Sequence, residues 1–152
     1  GEAEPLFLLP LKSYKRRLPK AKVLVGMPMA KYNGWISNNG KRIEVADWIG
    51  SQHHNWGSKH TDHYAWGQVA GFDNDPLSFL EVATARLKIG PFWTPFMTVL
   101  VLRHRGEEIS INRVTQAIRA KASIKYFNWN FKSETSKISL EGAISASSLF
   151  ML

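Results

Sequence analysis

The chain contains no cysteine. That absence removes disulfides, thiolate zinc sites and cysteine nucleophiles in one step, and it agrees with a reducing, cytoplasmic setting. Also missing is any run of about 18 apolar residues, so no transmembrane helix is expected. No secretory leader stands out, because the apolar patch from Pro5 to Leu11 is short and precedes the positive charges instead of following them. There is no internal repeat and no nucleophile elbow. The pairs Gly50-Ser51 and Gly57-Ser58 are not phosphate loops, since neither opens a helix or is followed in register by Lys-Ser/Thr.

Acidic residues are scarce. Only 12 Asp and Glu stand against 20 Lys and Arg, for a net charge of +8. Much of the excess is gathered in Lys12, Lys15, Arg16, Arg17, Lys20 and Lys22. No nucleic-acid recognition motif accompanies this cluster, so nucleic acid is not an expected partner. Residues 1–21 read instead as a solvated basic arm, able to rest on an anionic membrane surface where an apolar substrate would be found. The remaining composition, 44% hydrophobic and 21% charged, is that of a folded globular chain. Its 152 residues suit one domain, assigned to residues 22–152.

Turn signals divide that domain into short strands. Lys22 to Tyr32, extended by Ile36, is followed by Asn38-Asn39-Gly40, whose residues tolerate the positive φ of a hairpin turn. Lys41 to Trp48 alternates Ile43 and Val45 with Arg42 and Glu44, so the two runs should pair. From His63 to Phe72 one face carries Tyr64, Trp66, Gln68, Ala70 and Phe72; the other carries His63, Ala65, Gly67, Val69 and Gly71. The nearly bare face admits a close neighbour, and the bulky face can line a lumen. After the Asp73–Pro76 turn come strands at Ser78–Ile89, Phe96–Arg105 and Glu107–Ile111. A short helix capped by Asn112 should run to about Ala122. Ile124–Phe131 and Lys137–Ile144 complete the set. About eight antiparallel strands with one helix point to a barrel or sandwich. Polar positions facing aromatic ones favour a ligand-holding barrel.

The segment from Trp48 to Phe72 is the richest in chemistry. It holds His53, His54, His60 and His63, which could ligate a metal only if loops brought them together; no strand or helix spacing preorganises them. Ser51 lies close to His53 and His54 in sequence, but proximity alone does not make a serine triad. Acid chemistry on an apolar substrate fits better. Indole and phenol rings can stabilise a carbocation, and a His or carboxylic acid in a dry pocket can hold a proton for an alkene. Asp62, Asp73 and Glu81 are the carboxyl candidates. Glu81 is the odd one, since it interrupts an apolar strand face, where it either carries a raised pKa or pairs with Arg86 or Arg103.

Five stretches, Val25-Gly-Met-Pro28, Asp47-Trp-Ile-Gly-Ser51, His54-Asn-Trp-Gly57, Tyr64-Ala-Trp-Gly-Gln68 and Phe79-Leu-Glu-Val-Ala-Thr-Ala85, give the chain a family likeness. From about Leu18 to Ala146 it resembles the carotenoid 1,2-hydratase (hydroxyneurosporene synthase), AttH-like lipocalin family, and more distantly tocopherol cyclase. The resemblance implies a lipocalin-like (calycin) antiparallel barrel, normally half of a two-barrel protein, that binds an isoprenoid- or polyketide-like molecule. It also implies protonation of a C=C bond followed by hydration or ring closure, with no cofactor. The His-x-Trp pair implicated in the hydratases matches His54 and Trp56; Tyr64 and Asp73 are looser counterparts. Two departures stand out: His53 replaces a usual Asn, and the chain stops at Leu152, which leaves barrel closure at the C-terminus open.

The expected site therefore has His54 as proton donor or relay and Tyr64, Asp73 and Glu81 as proton-sharing groups. Trp48, His53, Asn55, Trp56, Trp66, Gln68 and Phe72 are expected to line the pocket. The rival expectation is a carrier with the same pocket but no proton donor; a second barrel or a second copy of the chain is a further possible partner.

Overall fold

A computed structural model describes residues 4–146. Almost all regular structure is β, and every strand pair is antiparallel. A short helix α1 (Leu11–Tyr14) precedes β1 (Ala21–Asn38), β2 (Lys41–Gly57), β3 (His63–Phe72) and β4 (Asp75–Arg86). The minor strands β5 (Lys88–Ile89) and β6 (Phe92–Trp93) are followed by β7 (Met97–His104) and β8 (Glu107–Ile111). Helix α2 (Val114–Arg119) leads to β9 (Lys121–Lys125), β10 (Asn128–Glu134) and β11 (Ser139–Ser145). These form sheets β1-β2, β3-β4-β7-β8, β5-β6 and β11-β10-β9, and the described strands do not close into a barrel. The expectation about the chain end at Leu152 falls outside the described residues.

The β3-β4-β7-β8 sheet forms the middle of three layers. In register, Phe79, Glu81 and Ala83 of β4 stand beside Val101 and Val99 of β7 on one face; Leu80, Val82 and Thr84 stand beside Leu102, Leu100 and Thr98 on the other. The first face packs with Val23, Val25 and Met29 of β1 and with Leu6 and Leu8. The second packs with Ala122, Trp129, Phe131 and Leu140 from the β9-β10-β11 sheet. The bare face of β3 receives that sheet: a Cβ on Gly67 would lie 2.6 Å from Ile144 Cδ1 and 3.2 Å from Trp129 Cζ3. The threonines and the indole on this face pair among themselves, while Ser133 Oγ is buried without a partner. Trp129 Nε1 donates to Thr84 Oγ1 at 3.1 Å, and Thr84 and Thr98 share a hydrogen bond of 2.8 Å.

Several sequence expectations need correction. The N-terminal segment is not simply a solvated arm. Leu6 exchanges backbone hydrogen bonds with Val25 (2.8 and 3.1 Å), and Arg103 donates to the carbonyls of Glu4 and Pro5. Leu6 and Leu8 are thereby drawn into the core, while Lys12, Lys15, Arg16, Arg17 and Lys20 stay exposed. The strand expected over Ser78–Ile89 ends at Arg86, and Ile124–Phe131 is not one strand but a hairpin turning at Tyr126-Phe127. The helix starts after Arg113, whose N–H donates to Gln116 Oε1 at 3.1 Å, and it stops at Arg119 because Lys121 enters β9.

The β1–β2 hairpin turns as expected. Asn39 and Gly40 have φ of 50° and 77°, as a two-residue type I′ turn requires. Its outer half, residues 31–48, is a projecting ribbon whose side chains lie mostly outside the core. A bulge interrupts it at Asp47 (φ 52°), whose N–H donates to Asn33 Oδ1 at 2.9 Å. Beyond the bulge Tyr32 faces Trp48, with the Tyr32 ring lying over Gly50.

If the N-terminal segment belongs to the core, Leu6→Ala will cost about 2–5 kcal/mol in urea denaturation. A loss below about 0.5 kcal/mol, typical of a surface position, would show that the segment contributes little to the fold.

Candidate functional site

The site is assembled by three strands. Gln68 on β3 and Glu81 on β4 are direct cross-strand partners, so their side chains share the face turned toward the β1–β2 hairpin, and Trp66 follows on that face two residues earlier. From β2, Ser51 and His53 are two residues apart and point the same way, down onto that face. His53 Nε2 lies 3.2 and 3.1 Å from the two oxygens of Glu81, and Trp66 Nε1 donates to Glu81 Oε1 at 2.6 Å. His53 Nδ1 lies 3.1 Å from Ser51 Oγ, and the Ser51 hydroxyl donates to Gln68 Oε1.

The direction of these bonds fixes the proton inventory. With the amide oxygen of Gln68 taking the only hydroxyl proton of Ser51, Ser51 Oγ can act toward His53 only as an acceptor. His53 therefore carries a proton on Nδ1. Its Nε2 faces the Glu81 carboxyl, and one proton between them gives either a neutral acid beside a neutral imidazole or a carboxylate beside an imidazolium. A proton taken up between them is the one such a pair can transfer. The Glu81 side chain is 0% exposed and that of His53 17%, so the histidine is the route outward. Burial pushes the Glu81 carboxyl above its ordinary value, and the hydrogen bonds from Trp66 and His53 only partly oppose this. Nearby, burial also raises the Tyr14 phenol, whose hydroxyl donates to the Val23 carbonyl at 2.6 Å.

Of the expected site residues, His53, Trp66, Gln68 and Glu81 come together. His54 does not join them. Strand alternation turns it to the opposite face of β2 from His53, where it is exposed and stacks on Trp56 at 5.3 Å between ring centroids. Trp56 packs against Tyr14 at 5.8 Å. Asn55 is exposed, and Trp48 lies on the projecting ribbon opposite Tyr32. Tyr64 is exposed beside His60 at 5.2 Å, Asp73 sits in the exposed β3–β4 turn, and Phe72, beyond a bulge at Gly71, lines a cleft elsewhere. The pairing of Glu81 with an arginine is not observed. Arg103 pairs with Glu108 at 2.8 Å, and Arg86 stacks over Trp93 at 4.8 Å. The histidines do not converge, since His63 packs edge-on against Trp93 at 4.9 Å, and no group of three metal-ligating side chains occurs among the described residues.

Ser51, weighed in the sequence only as a triad serine and set aside, is the member missing from the expected site. The signal was available, because residues two apart in a strand share a face, and Ser51 and His53 stand in that relation.

The raised Glu81 value has a definite sign. The folded chain holds this proton more tightly than the unfolded chain, so the stabilisation is complete below the ordinary carboxyl value of 4.5 and is lost as pH rises through the raised value. Glu81→Gln can still accept from Trp66 and can donate to His53 Nε2. Chemical denaturation across the acid-to-neutral range should therefore show the wild type losing stability relative to Glu81→Gln as pH rises; parallel pH profiles for the two would refute the assignment. Glu81→Leu, which strands both partners, should cost about 1–3 kcal/mol per unpaired group.

No protein-family model, curated protein or solved structure matches this chain, so the chemistry assigned to the site stands on its own residues.

Proposed function

We propose that this protein binds an apolar, alkene-bearing molecule of the isoprenoid or polyketide kind and protonates it from the Glu81–His53 pair. The observation that carries the reading is the buried Glu81 carboxyl held 3.1 Å from Nε2 of a histidine that reaches the outside. A general acid for alkene protonation needs a proton held out of water, because bulk water would level its acidity and quench the cation. The proton passes from the pair to one alkene carbon, and the π electrons form the new C–H bond. The adjacent carbon becomes a cation that the half-exposed Trp66 ring is suited to face. Water then adds to the cation, or a hydroxyl of the substrate closes a ring, and the proton released from that oxygen returns to the pair.

In this reading His53 takes the role first expected of His54, and Ser51 and Gln68 hold its tautomer. Tyr64 and Asp73 have no part. A lipocalin-like closure of the sheets around the substrate, alone or with a second barrel, belongs to the same proposal. So does contact of the exposed lysines and arginines near the N-terminus with an anionic membrane holding the substrate. One observation favours a second reading: both Glu81 oxygens are already engaged by Trp66 and His53. In a non-catalytic carrier the network would serve only to join the layers.

Incubation with an acyclic isoprenoid alkene in D2O, followed by mass spectrometry, separates the two. The catalytic reading expects a product carrying deuterium on carbon, with Glu81→Gln slowed about 10²–10⁴-fold, as loss of a general acid does. His54→Ala should stay near the wild-type rate. Ligand retained without product by wild type would leave the carrier, and full turnover by Glu81→Gln would exclude Glu81 as the acid.

A further inference from the structure

A second cluster lies on the other side of the middle sheet, away from Glu81. Between β4, β7 and the β10–β11 hairpin there is a cleft of about 580 Å³, within the range of small-molecule sites. Its floor is apolar: Leu80, Leu100, Leu102, Phe131 and Leu140. Its mouth is charged, with Asp75, His104, Arg105 and Glu141 at the rim. His104 Nδ1 is held at 2.8 Å by Asp75 Oδ2 and at 2.8 Å by Ser78 Oγ, and Ser78 is 2% exposed, so the imidazole is fixed from behind.

Of the two acids at the rim, Asp75 holds His104, while Glu141 is exposed, 4.0 Å from a Lys132 Nζ that already pairs with Glu134 at 2.8 Å. Arg105, by contrast, has no ion-pair or hydrogen-bond partner among the described residues. It is also placed against local preference. Arg105 and Gly106 form the two-residue β7–β8 turn with φ of 51° and 79°, and the first position of such a turn ordinarily takes Asn, Asp or Gly. A strained non-glycine residue at the mouth of a cleft is a position where ligand contact is commonly found.

We infer that this cleft binds an amphipathic carboxylic acid. The apolar tail lies on the leucine and phenylalanine floor, and the carboxylate sits at the mouth, where the Arg105 guanidinium donates to it in a charge-assisted pair. The site is on the opposite face of the sheet from the Glu81–His53 pair and does not depend on the reading of that pair.

Titration calorimetry with dodecanoate, below its micelle concentration, and with dodecanol tests the inference. Wild type should bind the acid at least about tenfold more tightly than the alcohol, the difference made by one charge-assisted contact. Arg105→Asn suits the turn better than arginine does, so the fold is preserved, and it should bring the acid down to the affinity of the alcohol. Glu81→Gln should change neither. Leu140→Trp, filling the cleft from its side, should abolish both. Absence of saturable dodecanoate binding, equal affinity for acid and alcohol, or an unchanged dodecanoate affinity in Arg105→Asn would overturn the inference.

Discussion

The constraint on which the molecule depends is that the β3-β4-β7-β8 sheet is buried on both faces. In a sheet covered twice each buried polar group left unpaired costs about 1–3 kcal/mol, and among the described residues only Arg86 Nε and Ser133 Oγ are buried without a partner. Each face meets this demand in its own way. Thr84, Thr98 and the Trp129 indole satisfy one another beneath the β9-β10-β11 sheet. On the other face Glu81 is satisfied by Trp66 of its neighbouring strand and by His53 of the hairpin above. The same bonds that make Glu81 tolerable thus tie β2 to the middle sheet, whose link to β2 is not through a strand ladder.

This arrangement gives the two faces different chemical characters. The hairpin side holds the buried Glu81 carboxyl against a histidine with one edge reaching outward. The opposite side keeps a recess with a leucine-rich floor and a charged rim. The middle sheet separates them, since side chains from successive residues of β4, Leu80 and Glu81, belong to opposite faces. One strand therefore contributes to both without either sharing a residue with the other.

Much of the local structure was legible in the residues. Asn39-Gly40 fixes its hairpin through positive φ, the large-small alternation of β3 foretells which face another sheet approaches, and Glu81 stands out as a carboxyl on an apolar face. The misses have physical causes. Tyr126-Phe127 turns with Phe127 at φ 64°, a conformation that no residue type there announces. Leu6 and Leu8 sit next to a basic cluster, and composition averaged over that stretch hides two side chains that fill the core. At His53 and His54 the family likeness favoured the second of two adjacent imidazoles, whereas strand parity selects the first. Parity is set by the bulges of β1 and β2, and these carry little sequence signal.

The bulge at Asp47 shows how much can hang on one amide. By taking the Asp47 N–H, the side chain of Asn33 fills a gap in the ladder and admits one extra residue to β2. That insertion inverts the facing of every side chain between it and the next irregularity. Trp48 shares a surface with Tyr32 for this reason, and a slip of a single position would carry the indole to the reverse side of the ribbon. A short polar side chain far from either cluster thereby decides the orientation of one of the two tryptophans on the projecting arm.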